Sequence, residues 1–176
     1  MHHNTNMEWL LRECAKTNSL TELVQIAAAE LKKFPKGGES VSWASQESCR
    51  GSSKENLRVF DATIETLKKV GRPIFSQVPY EERIFFFRKR WQDSDPSRAG
   101  QYYMPILEEF YYPLFQTKLI KRGWFIPGWN SSFGARWERE QLEEVNADIC
   151  DLANEWIDRI LITVWMSKKS ETKQGS

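Results

Sequence analysis

The sequence predicts an α/β domain of three layers, in which a short parallel sheet lies between helices and extra helices precede it. Three observations predict this class. Short apolar runs alternate along the chain with segments of helical periodicity. A helical pattern over residues 52–71 separates two strand-like segments, as in a right-handed β–α–β crossover. Another apolar run, over residues 124–126, stops at a Pro-Gly turn and is followed by a helical pattern.

The strands of the predicted sheet are short and are bounded by turn residues. We place the first over residues 40–45, where polar and apolar side chains alternate, and the second over residues 73–78. The third covers residues 122–127, and a short fourth strand is expected over residues 146–150. Because the strands are expected to be parallel, the loops that follow the first and third strands should lie at the same edge of the sheet.

Helical periodicity and capping signals indicate the helices. Residues 7–34 contain two of them, and Ser19 and Glu22 have the spacing of a capping box at the start of the second. Residues 104–120 form a further helix that Pro113 should end or kink, because proline lacks a backbone N–H. The other helical patterns cover residues 52–71, 135–144 and the residues that follow 151.

Changes in composition suggest how the chain is divided. Residues 1–38 are expected to be a helical extension that either covers the sheet or contacts a second subunit, and a Pro- and Gly-containing stretch closes it. Residues 39–167 are expected to form the α/β domain. The polar tail, residues 168–176, is expected to be disordered.

Composition also limits the classes of function. With 176 residues, of which 40% are hydrophobic, the chain is long enough for one packed core. A net charge of +1 gives no strong signal for nucleic-acid binding, and the lack of an 18-residue apolar run argues against a membrane span. Three widely spaced cysteines without a C-x-x-C pair argue against disulfides and zinc, so we expect a cytoplasmic protein without a metal or cofactor. The only histidines, His2 and His3, lie in a start that we expect to be disordered, which argues against a Ser-His-Asp triad.

The stretch from Trp124 to Glu138, WFIPGWNSSFGARWE, has the pattern of a strand, a tight turn and a helix. In an open α/β sheet, the carboxyl end of a strand and the amino end of the next helix border the crevice in which ligands bind. The free N–H groups of the helix favour a polar or anionic ligand group there. Glu138 would lie about one turn inside this helix, with its carboxylate toward the crevice.

This stretch resembles the nucleoside 2-deoxyribosyltransferase-like superfamily, including small relatives in which a Pro-Gly-Trp turn precedes Ser-x-Gly-Ala-x-x-Glu. The matching residues are Pro127, Gly128, Trp129, Ser132, Gly134, Ala135 and Glu138. In the order of its elements, the resemblance covers residues 40–150. It implies a flavodoxin- or Rossmann-like fold, a nucleoside or nucleotide ligand and self-association. A dimer is the simplest closed form, since small members of the superfamily commonly complete each site with residues of a neighbour.

The resemblance implies a role for several of these residues. Glu138 would be the nucleophile, or would stabilise positive charge at the anomeric carbon, during cleavage of an N-glycosidic bond. Ser132 and the N–H of Gly134 would hold a sugar hydroxyl or a 5′-phosphate, and Gly128 would permit the sharp turn. An aromatic side chain, Trp129 or Tyr102, is expected to stack on the base.

Two further segments are candidates for ligand binding. One is the loop after the first strand, where Ser45 and Gln46 stand in place of the glycine-containing turn of the characterised enzymes. The other follows the second strand and is either a solvated helix with an aromatic side on the core or a lid. In a lid, Arg88 or Arg90 would reach a substrate phosphate, and Tyr102 or Tyr103 would stack on a base.

Two functions from different classes remain open. One is an enzyme that cleaves or exchanges the N-glycosidic bond of a nucleoside, nucleotide or nucleotide-derived molecule. The other is a non-catalytic nucleotide-binding or interaction module on the same fold, in which Glu138 is one charge of an acid-rich helix. Asn130 is expected to hydrogen-bond the base, and it stands where characterised transferases have an acid. An amide exchanges protons less readily than a carboxyl group, so base exchange is less favoured than binding or hydrolysis.

Overall fold

The computed structural model describes residues 2–42 and 53–162. The helices in this part are α1 (His2–Lys16), α2 (Leu20–Leu31), α3 (Ser53–Lys69), α4 (Val78–Asp93), α5 (Tyr112–Gln116), α6 (Phe133–Glu144) and α7 (residues 154–162). The strands are β1 (Gly38–Ser42), β2 (Ile120–Phe125) and β3 (Asp148–Asp151). The predicted α/β class is confirmed, because a small parallel sheet of three strands is flanked by helices. None of the helices in the described ranges is long and apolar enough to cross a membrane.

The chain divides into two compact units. The first unit consists of Met1–Gly38 and Phe75–Ile120, and it is mainly helical over its described residues. The second unit consists of Glu39–Ile74 and Lys121–Ser176, and it contains most of the sheet together with α3, α6 and α7. The N-terminal helices therefore share a unit with the segment between α3 and β2.

The sheet has the strand order β1-β2-β3, so β2 is the central strand. β2 and β3 are parallel, with Phe125 opposite Asp151 at their carboxyl ends. On the other side of β2, the N–H of Ile126 donates to the carbonyl of Ser42 at 3.1 Å. This bond joins the carboxyl ends of β1 and β2, the edge at which ligands bind in open α/β sheets.

The prediction of a second strand over residues 73–78 is wrong for most of its length. One isolated parallel bridge joins Ile74 to Glu39 of β1, and α4 begins at Val78, the last residue of the segment. The residues after the bridge belong to the helical unit, where the buried rings of Phe75 and Tyr80 lie 5.5 Å apart. A short apolar run does not distinguish a strand from part of a helical core, and here the helical core takes most of it.

Alternation along the strands places helices on both faces of the sheet. Val41 and Ile126 are buried in one cluster with the α3 residues Phe60, Ile64 and Leu67. Partly buried side chains of α7 pack against the same cluster. The intervening strand positions face the opposite way and meet α6.

Glycine at position 123 lets α6 approach β2 closely. A Cβ atom on Gly123 would lie 2.6 Å from Cδ1 of Leu142 and 3.0 Å from the ring of Phe125. Leu142 is fully buried on α6. A side chain at position 123 would therefore push α6 away from the sheet.

A buried carboxylate holds the strands together on the face that packs against α3. Glu39 accepts hydrogen bonds from Nε of Arg72 at 2.9 Å and from the indole Nε1 of Trp124 at 2.7 Å, and its other oxygen contacts Nη2 of Arg72. Arg122 lies 3.7 Å from the same carboxylate, and both guanidinium groups lie over the Trp124 ring. These partners offset the cost of removing the Glu39 carboxylate from water.

The helical unit confirms the predicted capping box. The hydroxyl of Ser19 accepts from the N–H of Glu22 at 3.2 Å, and the carboxylate of Glu22 accepts from the N–H of Asn18 at 2.7 Å. The expectation of a disordered start around the histidines is wrong, because α1 begins at His2.

The regular helix is interrupted next to Pro113, as predicted, and the interruption is a widened turn just before the proline. Ile106–Tyr111 is a π-helical turn, and the N–H of Tyr112 donates to the carbonyl of Leu107, five residues earlier. Pro113 has no N–H to donate to an earlier carbonyl, and the wider turn, with its bond over five residues, precedes the proline. The helix then ends at Gln116, before the predicted end at residue 120.

Gly123→Ala is expected to lower the free energy of unfolding by about 1 to 3 kcal/mol, because the added methyl group overlaps the side chain of Leu142. Urea denaturation would measure this loss. The double variant Gly123→Ala/Leu142→Ala should lose less stability than the sum of the two single variants, since the smaller side chain makes room for the methyl group. Strictly additive losses would contradict the proposed steric contact.

Candidate functional site

Glu138 faces the sheet because of its place in α6. Ala135 and Leu142, three residues before it and four residues after it, are both buried. Residues at these spacings share one face of a helix, so the row that packs on β2 also contains a carboxyl group. Glu140 and Glu143 lie on other faces of α6 and are exposed.

Ser42 is the hydrogen-bond partner of Glu138. Its hydroxyl donates to Oε2 of Glu138 at 2.5 Å from the last position of β1. Ser42 is buried, and its backbone carbonyl is bonded to Ile126 of the neighbouring chain segment, so the position of the hydroxyl is well fixed. The carboxyl ends of β1 and β2 and the second turn of α6 therefore meet at this pair.

The neutral form of the Glu138 side chain is favoured more strongly in the folded protein than it would be in water. Part of the residue reaches the surface, but the carboxyl group itself is desolvated, and this burial raises the pKa of Glu138 to about 7. The hydrogen bond from Ser42 acts in the opposite direction, since it stabilises the carboxylate, but it is the smaller effect. Near neutral pH both protonation states are therefore populated, as is common for carboxyl groups with a chemical role.

The turn between β2 and α6 is built from backbone and capping interactions. Gly128 has φ of 89°, a left-handed conformation that glycine adopts without strain. The hydroxyl of Ser132 caps α6 by accepting from the N–H of Ala135 at 3.3 Å. Arg136 donates to the carbonyl of Asn130 at 2.7 Å. The hydroxyl of Ser132, predicted to bind a ligand, thus uses one of its two lone pairs to cap the helix and retains its proton and one lone pair for a further partner.

Trp129 is packed against a cation. The guanidinium of Arg139 lies 4.4 Å from the centre of the Trp129 ring and 5.2 Å from that of Phe125. Arg139 also pairs with Asp151 at 2.7 Å and with Glu143 at 3.1 Å. These contacts fix Trp129 beside α6 and use part of the ring surface that was predicted to stack on a base.

The predicted site residues are divided between the two units. The turn residues Gly128, Trp129, Asn130, Ser132 and Gly134 lie with Glu138 in the second unit. Arg88 and Tyr102 are exposed residues of the helical unit. Ser45 and Gln46 lie outside the described residues.

Sequence reasoning missed Ser42 as a functional residue. The first strand was predicted over residues 40–45, and the candidate residues Ser45 and Gln46 at its end lie outside the described residues. In the sequence Ser40-Val41-Ser42, the alternation of side chains places both serines on the opposite side of the strand from the valine. That alternation was the signal available in the sequence.

Over residues 2–42 and 53–162, no group of three His, Cys, Asp or Glu side chains is arranged to hold a metal ion.

Glu138→Gln is expected to stabilise the protein at pH 8 and to change its stability little at pH 4. The folded protein binds the Glu138 proton with a pKa of about 7, above the ordinary value of 4.5. The stabilisation by this proton is complete below pH 4.5 and is lost as the pH rises through 7, which amounts to about 3 kcal/mol. Glutamine stays neutral and still accepts from Ser42, so it avoids this loss. Urea denaturation at both pH values measures the difference.

The matched control for this prediction is Glu140→Gln, an exposed position on the same helix. Its effect on the free energy of unfolding should be small and similar at pH 4 and pH 8. If Glu138→Gln shows the same flat dependence, the carboxyl group of Glu138 is not desolvated in the folded protein.

Comparisons of the chain with protein-family models, with curated proteins and with solved structures gave no match.

Proposed function

We propose that this protein cleaves or exchanges the N-glycosidic bond of a nucleoside, a nucleotide or a nucleotide-derived molecule, with Glu138 as the reacting carboxylate. The observation that carries the proposal is the pair of Ser42 and Glu138 at the carboxyl ends of β1 and β2. The carboxyl group of Glu138 is desolvated, has a pKa of about 7 and is held on the helix α6. Such a combination is unusual for a residue with only a structural role.

The order of the elements supports a flavodoxin- or Rossmann-like interpretation of the fold. The crossover through α3 leads from β1 to the bridge at Ile74, on the side of β1 away from β2. The crossover through α6 leads from β2 to β3, in the opposite direction. The two crossovers diverge between β1 and β2, and this kind of divergence marks the ligand crevice in doubly wound folds. Ser42 and Glu138 lie at that point.

The proposed chemistry uses the ionised form of Glu138. Cleavage of an N-glycosidic bond develops positive charge at the anomeric carbon, and a carboxylate stabilises that charge or attacks it. In the attack, a carboxylate oxygen forms an ester bond to the anomeric carbon, and the bond to the base breaks with its electron pair going to the base nitrogen. Water supplies the proton that the departing base takes up. The hydroxide left from that water, or a second base that gives its N–H proton to the hydroxide, then forms the new bond to the anomeric carbon, and the ester bond breaks to regenerate the carboxylate.

Ser42 has two roles in this scheme. Its hydrogen bond to Oε2 orients the carboxyl group, and among the described residues no other hydrogen bond or ion pair to Glu138 is present. Oε1 is therefore the oxygen that would meet the sugar. The same hydrogen bond favours the carboxylate over the neutral acid, so Ser42 increases the fraction of Glu138 that can react at neutral pH.

The second candidate function is a non-catalytic nucleotide-binding or interaction module. Asn130 favours it, because the exposed amide at this position cannot supply a proton to a departing base as an acid would. The engagement of Ser132 as a helix cap also favours it, since less of the turn is free to bind a phosphate. The two candidates differ in whether base is released, which an experiment can decide.

Purified protein incubated with nucleosides, deoxynucleotides and nicotinamide dinucleotide is expected to release free base from at least one of them. Glu138→Gln should bind that compound with little change but release base about a thousandfold more slowly, a barrier increase of about 4 kcal/mol, because the negative charge is lost. Chromatographic detection of the base measures the rate, and calorimetry measures binding.

The exposed residues of α6 provide the matched controls. Glu140→Gln and Glu143→Gln change the same charge on the same helix and should leave the rate of base release nearly unchanged. Binding of a nucleotide without any base release by the wild-type protein would support the module instead. Equal effects of all three substitutions would exclude a specific role of Glu138.

A further inference from the structure

The outer face of α4 carries large apolar side chains that the helical unit does not bury. Tyr80, Ile84 and Phe87 form the buried face of this helix. Phe85 is 65% exposed and Phe86 is 41% exposed. Two adjacent phenylalanines on a solvated helix surface are costly to leave in water, and such surfaces are often sites of association.

Charged residues flank these phenylalanines in a regular order. Residues four positions apart lie on one row of a helix. One row contains Glu81, Phe85 and Lys89, and the next row contains Glu82, Phe86 and Arg90. All six are exposed. Each row therefore runs from an acid through an aromatic ring to a base. The surface defined by these six residues is called the α4 face below.

We propose that two copies of the chain associate through their α4 faces with the helices antiparallel. A twofold axis perpendicular to the helices and close to residues 85 and 86 sets each row against the same row of the other copy. Residue 81 of one copy then lies opposite residue 89 of the other, and residue 82 lies opposite residue 90. Both acidic residues then meet basic residues of the second copy, and the phenylalanines of the two copies meet at the axis. An isologous interface requires a surface that is complementary to itself, and the α4 face has this property.

The pattern favours a second copy over a membrane or a nucleic acid. Arg88, Lys89 and Arg90 alone would suit an anionic surface, and Phe85 and Phe86 would suit either lipid or bases. However, Glu81 and Glu82 lie on the same rows and would be repelled by phosphate groups. In the antiparallel pair each of these acidic residues lies opposite a basic residue of the second copy and is attracted to it. This inference concerns the helical unit alone and does not depend on the proposed catalytic function.

The size of the surface sets the expected strength of association. One helix from each copy buries less area than a standard protein interface, so a dissociation constant in the range of about 10 to 100 micromolar is expected. Sedimentation velocity over a wide range of protein concentration should show a monomer–dimer equilibrium. Raising the ionic strength should weaken it, since exposed ion pairs are screened by salt.

Charge reversal tests the antiparallel pairing directly. Glu81→Lys/Glu82→Lys places four bases on the α4 face, and Lys89→Glu/Arg90→Glu places four acids on it when Glu81 and Glu82 are counted. Each variant alone should dimerise at least about tenfold more weakly than the wild type, because like charges oppose each other. An equimolar mixture of the two variants should associate with about the wild-type affinity, since every opposing pair is again attractive.

Two further variants complete the experiment. Lys36→Glu/Lys69→Glu changes the net charge by the same amount as Lys89→Glu/Arg90→Glu, but at exposed positions outside α4, and should leave dimerisation unchanged. Phe85→Ser/Phe86→Ser should abolish it, and circular dichroism would establish that each variant keeps its helices. Three results would overturn the proposal: a monomeric wild type at several hundred micromolar, a mixture that associates no better than its components, or equal effects of the reversal in and outside α4.

Discussion

The close packing of α6 on β2 determines where the candidate catalytic group lies. Gly123 has no side chain, so Leu142 fits against the central strand. Glu138 is one turn before Leu142 on the same helix face, and it is carried to the sheet by the same contact. The hydroxyl of Ser42 is then within hydrogen-bond distance. A packing constraint between two apolar elements thus places a carboxyl group where exposed loops would hold it less rigidly.

Two carboxyl groups on opposite faces of the sheet show how their surroundings separate structural from chemical roles. Glu39 is surrounded by Arg72, Arg122 and the indole of Trp124, which compensate both its charge and its hydrogen-bonding capacity. Glu138 has one hydroxyl partner and no cation within the described residues. The first group holds strands together as a carboxylate. The second remains close to the balance between acid and carboxylate, which is useful for reaction but costs stability at high pH.

Local signals in the sequence predicted local structure well. The capping box at Ser19 and Glu22, the interruption at Pro113 and the strand, turn and helix around Gly128 depend on interactions between near neighbours, which the residue types specify. Local signals also predicted the α/β class, through the alternation of short apolar runs with helical patterns. The position of Glu138 in a helix followed from the same reasoning, because capping by Ser132 and helical periodicity are both local.

Features that depend on distant parts of the chain could not be predicted. The apolar run after residue 73 was assigned to the sheet, although most of it is part of the helical unit that also contains the N-terminal helices. Ser42 pairs with Glu138, 96 residues later in the chain, and no residue close to Ser42 in the sequence predicts this partner. The acid, aromatic and base rows of α4 were not predicted, since exposure of Phe85 and Phe86 depends on which face of the helix the unit buries.

The most direct test of the account is a titration of the Glu138 side-chain carboxyl by carbon-13 NMR, in the wild-type protein and in Ser42→Ala. The account predicts a pKa of about 7 in the wild type and a higher pKa in the variant, because the hydroxyl no longer stabilises the carboxylate. Glu138→Gln removes this carboxyl resonance and so provides the assignment control. A wild-type pKa close to the ordinary value of 4.5, unchanged by loss of the Ser42 hydroxyl, would contradict the central claim that Glu138 is a desolvated carboxyl group poised for chemistry.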